Sequence, residues 1–271
     1  VDDDPVQPAP DGGVVAVSVL GTVLTGAGHH KMAMAGDSTT FDSAYVSNIT
    51  DGTITPVGAD RTARANVVGV GAVPHGMDYS FATKRVYNCS GNATNDIEVI
   101  ATTDEVGTPA NDRDTIVGHV ALPSRCSFLH VTDDGAYALA SLPGSNQLAR
   151  LRLSDHHVDL FTAGMGADKL AEVGNIVYVA NALEPTVSAI DVTGGLATVT
   201  IPVGNAVAPG TAEGHRNIRY HANRLYVPNA YDGTLTVIDT TTNTVVSTIT
   251  GMHSPVSVAV AGPGFGTTYP R

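Results

Sequence analysis

Short apolar stretches separated by polar turns run along most of the chain, and residues 225–251 show the pattern most clearly. There the apolar residues 225–228 precede a turn at 229–233, which is rich in residues that tolerate a tight backbone. The β-branched stretch 234–239, a polar turn at 240–243 and the alternating stretch 244–250 follow. Alternation with a period of two is typical of half-buried strands. The sequence therefore predicts three consecutive strands in a meander.

The same pattern recurs at residues 177–204, VYVANALEPTVSAIDVTGGLATVTIPVG, with degraded copies elsewhere. These segments resemble the YVTN-type β-propeller repeat, which runs YVTN, a short turn, TVSVID, a polar turn and then VVATIPVG. The resemblance implies an all-β fold, with a single β-propeller of four-stranded blades around a central channel. It implies no particular activity, because propellers include enzymes, binding proteins and scaffolds.

Tyrosines in the second strand of each unit indicate how many blades there are. They recur at intervals of about 40 to 50 residues, the length of a four-stranded blade. They are Tyr45, Tyr87, Tyr137, Tyr178 and Tyr226. Residues 13–25 contain outer strands and residues 256–261 an inner strand, so pairing of the two ends would complete a further blade and close the ring. We expect about six blades, with about seven as the alternative.

These blades would occupy residues 13–262, after a flexible polar leader at 1–12 and before a C-terminal tail at 263–271. Residues 88–115 depart most from the repeat, and we expect them to form a polar loop on one rim. The start, VDDDPVQPAPDGG, is typical of the exposed leader of a mature secreted chain. We therefore expect a periplasmic or extracellular protein.

The charge of the chain limits its partners. A formal net charge of −12 argues against nucleic acid or an anionic membrane, because either would need a basic surface on the protein. It is compatible with attracting cations. No apolar run approaches the roughly 20 residues that span a bilayer, so we expect no membrane span.

Cys89 and Cys126 are the two cysteines of the chain. A disulfide between them is compatible with an oxidising compartment. Their spacing alone does not establish that they approach within bonding distance. At the level of sequence, a disulfide and two free thiols both stay open.

Histidines recur at one position of the predicted blades, in the link between an outer strand and the next inner strand. Alignment of the links on their inner strands places histidine there in four blades: His29 or His30, His75, His215 and His253. Arg125 and either Asp168 or Lys169 take this position in the other blades. Such links meet at one mouth of a propeller channel, and imidazole is the commonest ligand of zinc and copper. The sequence thus predicts a transition-metal site, while hydrogen-bonded turn residues in a water-filled channel are the alternative.

Two segments near the start point to copper rather than zinc. Residues 28–52, GHHKMAMAGDSTTFDSAYVSNITDG, and residues 73–92, VPHGMDYSFATKRVYNCSGN, resemble two blades of the nitrous oxide reductase propeller. The resemblance implies copper ligands at His29, His30 and His75, and at His215 and His253 by blade position only. The two cysteines do not form the Cys-x-x-x-Cys element of that family's electron-entry site. We therefore expect a mononuclear or dinuclear site, not the complete reductase.

Other chemically interesting residues fit structural roles better. His119 and His130 fall within predicted strands and are expected to be packing residues. Asp191 and Asp239 fall where a turn at the end of a strand needs an acceptor, so we expect them to stabilise turns. The chain has no nucleophile elbow, no phosphate-binding loop, no dinucleotide-binding glycine pattern and no His-Glu-x-x-His motif.

Three functions fit this sequence. The first is metal binding at the channel mouth for storage, delivery or sensing. The second is a small copper oxidoreductase that uses the same histidines and keeps one coordination position open for a substrate. The third is a non-catalytic scaffold whose rim binds another protein.

Overall fold

The computed structural model describes residues 22–37, 40–67, 69–71, 73–90, 95–103, 112–204 and 217–259. Within these ranges the chain forms nineteen β-strands and no helix, so the all-β prediction is confirmed. No helix capable of crossing a membrane occurs in them. The predicted leader at 1–12 and tail at 263–271 lie outside the described residues.

The strands form five antiparallel sheets, and the strands of each sheet lie side by side in chain order. Sheet 1 contains β1 (His29–Gly36), β2 (Phe41–Asn48) and β3 (Thr53–Gly58). Sheet 2 contains β4 (Met77–Ser80), β5 (Arg85–Cys89), β6 (Asp96–Ala101) and β7 (Ile116–Ala121). Sheet 3 contains β8 (Phe128–Val131), β9 (Tyr137–Leu142), β10 (Gln147–Arg152) and β11 (Val158–Thr162).

The last two sheets contain the strongest sequence repeats. Sheet 4 contains β12 (Ala167–Val173), β13 (Ile176–Asn181), β14 (Thr186–Asp191) and β15 (Val199–Pro202). Sheet 5 contains β16 (Arg219–His221), β17 (Arg224–Asn229), β18 (Thr234–Asp239) and β19 (Thr244–Ile249). The meander predicted for residues 225–250 is confirmed.

The first strands of the five sheets lie next to one another. β1 contacts β4, β4 contacts β8, β8 contacts β12, and β12 contacts β16. These five are termed the inner strands. Four-stranded meanders that meet in succession through their first strands are the arrangement of a β-propeller, so the fold is propeller-like.

Three of the repeat tyrosines are fully buried on the second strands of their sheets, namely Tyr45, Tyr87 and Tyr178. The Tyr45 hydroxyl donates to Asp114 Oδ1 at 2.5 Å, and the Tyr178 hydroxyl donates to Asn243 Oδ1 at 2.5 Å. Each acceptor lies just before the fourth strand of the following sheet. Burial raises the pKa of Tyr178 to about 12, which keeps its hydroxyl protonated as a donor. Tyr45 and Tyr178 therefore join neighbouring sheets.

Buried asparagines tie the end of the second strand to the third strand. Asn181 Nδ2 donates to Thr186 Oγ1 at 2.7 Å and to Ser188 Oγ at 3.1 Å. Asn229 makes the equivalent pair of bonds to β18 in sheet 5. Because a buried amide needs such partners, the asparagine at the end of the YVTN-like element has a structural role.

The aspartates at the ends of the third strands stabilise the next turn, as predicted. Asp239 Oδ1 accepts hydrogen bonds from the Thr241 amide at 2.8 Å and from the Thr241 hydroxyl at 2.6 Å. Asp191 makes the same two bonds with Thr193. These contacts lower the pKa of both aspartates, so the carboxylates stay ionised as acceptors.

Sheet 2 overturns part of the prediction of a polar loop over residues 88–115, of which residues 91–94 and 104–111 lie outside the described residues. β6 runs through this range, and all six of its residues are buried. Glu98 in β6 accepts a hydrogen bond from Asn88 Nδ2 at 2.5 Å, so a carboxyl group takes the place of the hydroxyls used in sheets 4 and 5. Burial raises the pKa of Glu98 to about 8, which keeps it mostly protonated at neutral pH. The prediction was wrong because a sequence pattern with an acidic residue such as Glu98 indicates an exposed loop, whereas here that residue lies in a buried strand.

Cys89 and Cys126 form a disulfide bond that joins sheets 2 and 3. Cys89 ends β5, Cys126 precedes β8, and their Cα atoms are 5.4 Å apart. Both cysteines are fully buried. Of the two alternatives that the sequence left open, the structure contains the disulfide.

Candidate functional site

The predicted metal-binding histidines occupy different settings. His29 and His30 open β1 and are exposed. His75 lies just before β4 and is half-buried, and His253 is exposed in the segment after β19. His215 lies outside the described residues.

His30 and His75 are brought together from two neighbouring sheets. Their ring centroids are 4.4 Å apart, and the ring planes are inclined by 40°. The contact arises because β1 and β4 are adjacent inner strands. Within the described residues, His29 and His253 make no ring contact with another histidine. The full five-histidine site therefore stays a prediction.

A hydrogen bond fixes the tautomer of His75. Its Nδ1 lies 2.7 Å from the carbonyl oxygen of Ser127, and a carbonyl only accepts. Nδ1 therefore carries the hydrogen, and the lone pair of the neutral ring lies on Nε2. Burial lowers the pKa of His75; the bond to Ser127 opposes this shift, and the charges of Lys169 and Arg125 add to it. The ring is neutral at neutral pH, the state in which imidazole binds metals.

Close backbone packing holds His75 against sheet 3. Gly76 follows it, and a Cβ atom at that position would lie 2.8 Å from the Cα atom of Phe128. Glycine is required for so close an approach. The Cys89 amide donates to the Gly76 carbonyl at 2.7 Å, and the disulfide joins Cys89 to Cys126, the residue before the carbonyl that bonds His75. The hydrogen bond between Cys89 and Gly76 and the disulfide bond together position the imidazole of His75.

Positively charged side chains gather beside this pair. The Nζ atoms of Lys31 and Lys169 lie 5.6 Å and 5.4 Å from the centroid of the Phe128 ring. Lys169 is only 4% exposed, and its Nζ lies 3.0 Å from Asp168 Oδ1. Burial lowers the pKa of Lys31, and the charges of Lys169 and Arg219 lower it further. Lys31, Lys169, Arg219 and Phe128 are termed the lysine cluster.

A second group of ionisable side chains lies further along the inner strands. His130 Nδ1 is 3.3 Å from Asp78 Oδ2, and His130 Nε2 is 3.2 Å from Glu172 Oε2. Burial opposes the charged ring, but hydrogen bonds to the two carboxylates outweigh it and raise the pKa of His130 to about 9. Ligand atoms of His130, Asp133 and Glu172 lie within 4.8 Å of one another. Asp78, His130, Asp133 and Glu172 are termed the His130 cluster.

The prediction that His119 and His130 are packing residues is wrong. Both ring nitrogens of His130 face carboxylates, and His119 pairs with Asp96 at 2.9 Å while its side chain is 54% exposed. The sequence did contain a signal, because Asp78, His130 and Glu172 each lie shortly after the aligned link position of their blade. Because these residues are far apart in sequence, the sequence did not show that adjacent inner strands bring them into contact.

The two clusters differ in the state of their imidazole groups. Across the ranges that the structure covers, His130, Asp133 and Glu172 are the one set of three potential metal ligands that lie this close together. However, His130 carries hydrogen on both nitrogens at neutral pH, and a metal ion would have to displace one of them. His75 is already neutral, so it does not have to lose a hydrogen before it binds a metal ion. The His30–His75 contact is therefore the better candidate for metal binding, although it contains fewer ligands.

Comparison with known proteins supports the fold and no more. No protein-family model matches the sequence, and no curated protein matches it. Among solved structures, hydrazine synthase of Kuenenia stuttgartiensis is similar, with a TM-score of 0.61 and 15% identity over 83% of this chain and 76% of that chain. That protein contains a β-propeller. At this identity the likeness shows a shared propeller-like fold, not a shared activity.

Proposed function

We propose that this protein binds a transition-metal ion through His30 and His75, copper in preference to zinc, for metal storage, delivery or sensing. One observation carries the proposal: the two rings are in contact, and Ser127 fixes the Nδ1 atom of His75. Metal-binding histidines commonly donate their other ring N–H to a carbonyl, which fixes the tautomer and aims the ligand nitrogen. The pKa of His75 is lowered, so its ring is neutral without prior loss of a proton.

Local charge favours copper over zinc at this place. The charges of Lys169 and Arg125 act on His75 and disfavour further positive charge there. Because electrostatic repulsion scales with the product of the charges, a monovalent copper ion is repelled less than divalent zinc. Neutral imidazole ligands are suitable for copper as well as for zinc.

We infer that the five sheets belong to a closed ring of about six blades, with the last blade built from both ends of the chain. The supporting observation is a parallel bridge between Asn217 and Ser257, with the Asn217 amide 3.0 Å from the Val256 carbonyl oxygen. Asn217 lies just before β16, so residues 256–257 run beside an inner strand. A ring of this kind would bring His215 and His253 toward the channel mouth that we expect for His29, His30 and His75.

We also propose that the protein resides in the periplasm or outside the cell. Cys89 and Cys126 form a buried disulfide. Structural disulfides persist in oxidising compartments and are rare in the cytosol.

Metal analysis of untagged protein tests the function. Wild type, His75→Ala, His130→Gln and His119→Ala are loaded with copper or zinc, dialysed, and analysed by inductively coupled plasma mass spectrometry. We expect His75→Ala to lose most of the bound metal and His119→Ala, altered at an exposed histidine on β7, to keep it. Equal stoichiometry in wild type and His75→Ala would reject the proposal. Loss in His130→Gln alone would instead locate the metal at the His130 cluster.

A further inference from the structure

We propose that the lysine cluster is a binding site for a small anion, an oxyanion or a carboxylate. Its positive charges come from three sheets, with Lys31 on β1, Lys169 on β12 and Arg219 on β16. The site does not depend on the proposed metal, because its cationic side chains are not metal ligands. It adds a second, oppositely charged kind of ligand to the same inner strands.

Two lysines converge on one aromatic ring. The chain contains three lysines, Lys31, Lys84 and Lys169. The ammonium groups of Lys31 and Lys169 lie 5.6 Å and 5.4 Å from the centroid of the Phe128 ring, within the range of cation–π attraction. Phe128 therefore helps to hold two like charges in one place.

The charges of the cluster do not balance. Lys169 lies 3.0 Å from Asp168, whose Oδ1 also accepts a hydrogen bond from the Ser127 hydroxyl at 2.6 Å. Within the described residues, neither Lys31 nor Arg219 forms an ion pair with a carboxylate. Among the described residues, the three positive groups of the cluster therefore form one ion pair, that of Lys169 with Asp168.

Burial makes this imbalance unfavourable unless a ligand offsets it. Lys169 is 4% exposed, and Lys31 is half-buried. Like charges repel more strongly where water is scarce. An anion would remove this repulsion and accept charge-assisted hydrogen bonds from the ammonium and guanidinium groups. The cluster is cationic in a protein whose net charge is −12, which is the pattern expected of a specific anion site.

A small anion fits the site better than a polyanion. Because Lys169 is buried, only a compact group can reach its ammonium. The net charge of −12 repels nucleic acids and anionic surfaces as a whole. Inorganic phosphate and acetate represent the two classes of small ligand that share the required chemistry, which is a negative charge spread over oxygen acceptors.

Isothermal titration calorimetry of the full chain in metal-free, low-salt buffer tests the proposal with phosphate and acetate as probes. We expect the wild type to bind at least one probe with a dissociation constant of about 1 mM or tighter. Lys169→Met and Lys31→Met, which keep most of the side-chain length, should each weaken this binding about tenfold to hundredfold. Lys84→Met removes the same charge from the turn between β4 and β5 and should leave binding unchanged.

Two results would overturn the anion site: no binding of either probe by the wild type, or equal losses in Lys84→Met and Lys169→Met. Circular dichroism verifies that each variant is folded. If Lys169→Met does not fold, the half-buried Lys31→Met variant gives the result on its own. Because the buffer contains no metal, failure of the metal proposal leaves this test intact, and failure here leaves the metal analysis intact.

Discussion

His75 and His130 belong to neighbouring inner-strand segments, yet the structure gives them opposite states. His75 is neutral at neutral pH, because burial and the nearby cations lower its pKa. His130 is protonated, because hydrogen bonds to Asp78 and Glu172 outweigh burial and raise its pKa to about 9. Both residues are histidines, one just before an inner strand and one within the next inner strand, so their neighbours from other sheets make the difference.

This contrast shows that the fold separates charges along the inner strands. Lys31, Lys169 and Arg219 meet near the beginning of these strands, whereas Asp78 and Glu172 meet further along. The net charge of −12 predicts neither group. Local charge therefore differs from the net charge of the chain, positive at the lysine cluster and negative around His130.

Removal of the disulfide has the largest expected effect and tests whether the setting of His75 depends on it. The crosslink spans 37 residues, and its loss in Cys89→Ala/Cys126→Ala should lower the free energy of unfolding by about 4 kcal/mol. The Ser127 carbonyl, whose hydrogen bond raises the pKa of His75, would then be less well fixed, so that pKa should fall further below its usual value while the pKa of His130 changes less. Urea denaturation and NMR titration of the histidine ring protons measure both effects. A stability loss below about 1 kcal/mol would contradict this expectation.

Replacement of His130 tests the other side of the comparison. A histidine whose pKa is raised from 6.5 to about 9 stabilises the fold fully below pH 6.5, and that contribution is lost as the pH rises toward 9. Because the side chain is 32% exposed, we expect about 2 kcal/mol after solvent screening. Thermal unfolding should show that the melting temperature falls less between about pH 6 and pH 9.5 in His130→Gln than in the wild type.

The control for this measurement is His119→Gln, which removes the more exposed pair with Asp96. We expect the melting temperature of His119→Gln to fall with pH as much as that of the wild type. Parallel pH profiles for the wild type and His130→Gln would mean that the carboxylates do not hold the proton on His130.

The smallest expected effect is that of Lys169→Met on His75. Loss of this positive charge should raise the pKa of His75 only slightly, because burial and not the charge is the largest cause of the lowered pKa. NMR titration of the ring protons measures it. Lys84→Met should leave the pKa of His75 unchanged, and a lower pKa in Lys169→Met would show that the lysine cluster does not act on His75.

Local patterns predicted the strands well where the turn chemistry is regular. The strands expected at 225–228, 234–239 and 244–250 correspond to β17 (Arg224–Asn229), β18 (Thr234–Asp239) and β19 (Thr244–Ile249). The same reasoning missed β6, because Glu98 is tolerated in a buried strand only through its bond to Asn88. The pattern of apolar and polar residues within one strand does not show which residue of another strand forms a hydrogen bond with it.

The candidate site was predicted in part. Alignment of the links placed Arg125 and either Asp168 or Lys169 at the position of the histidines, and the structure brings the charges of Lys169 and Arg125 close to His75. It gave no indication that Lys31 joins Lys169 at Phe128. Asp78, His130 and Glu172 each lie shortly after the link position, but the alignment did not show that they are in contact. Both arrangements depend on how far one sheet lies from the next, and the alternation of apolar and polar residues does not contain that distance.

The sequence by itself determined the all-β class, the regular turns and the aspartates that stabilise those turns. Each of these rests on alternation along a strand or on hydrogen bonds between residues close in sequence. Only the tertiary structure decided that Cys89 pairs with Cys126, that His75 is neutral and His130 charged, and that two lysines share one ring. Those outcomes depend on burial and on distances between side chains of different sheets, which arise only when the sheets pack together.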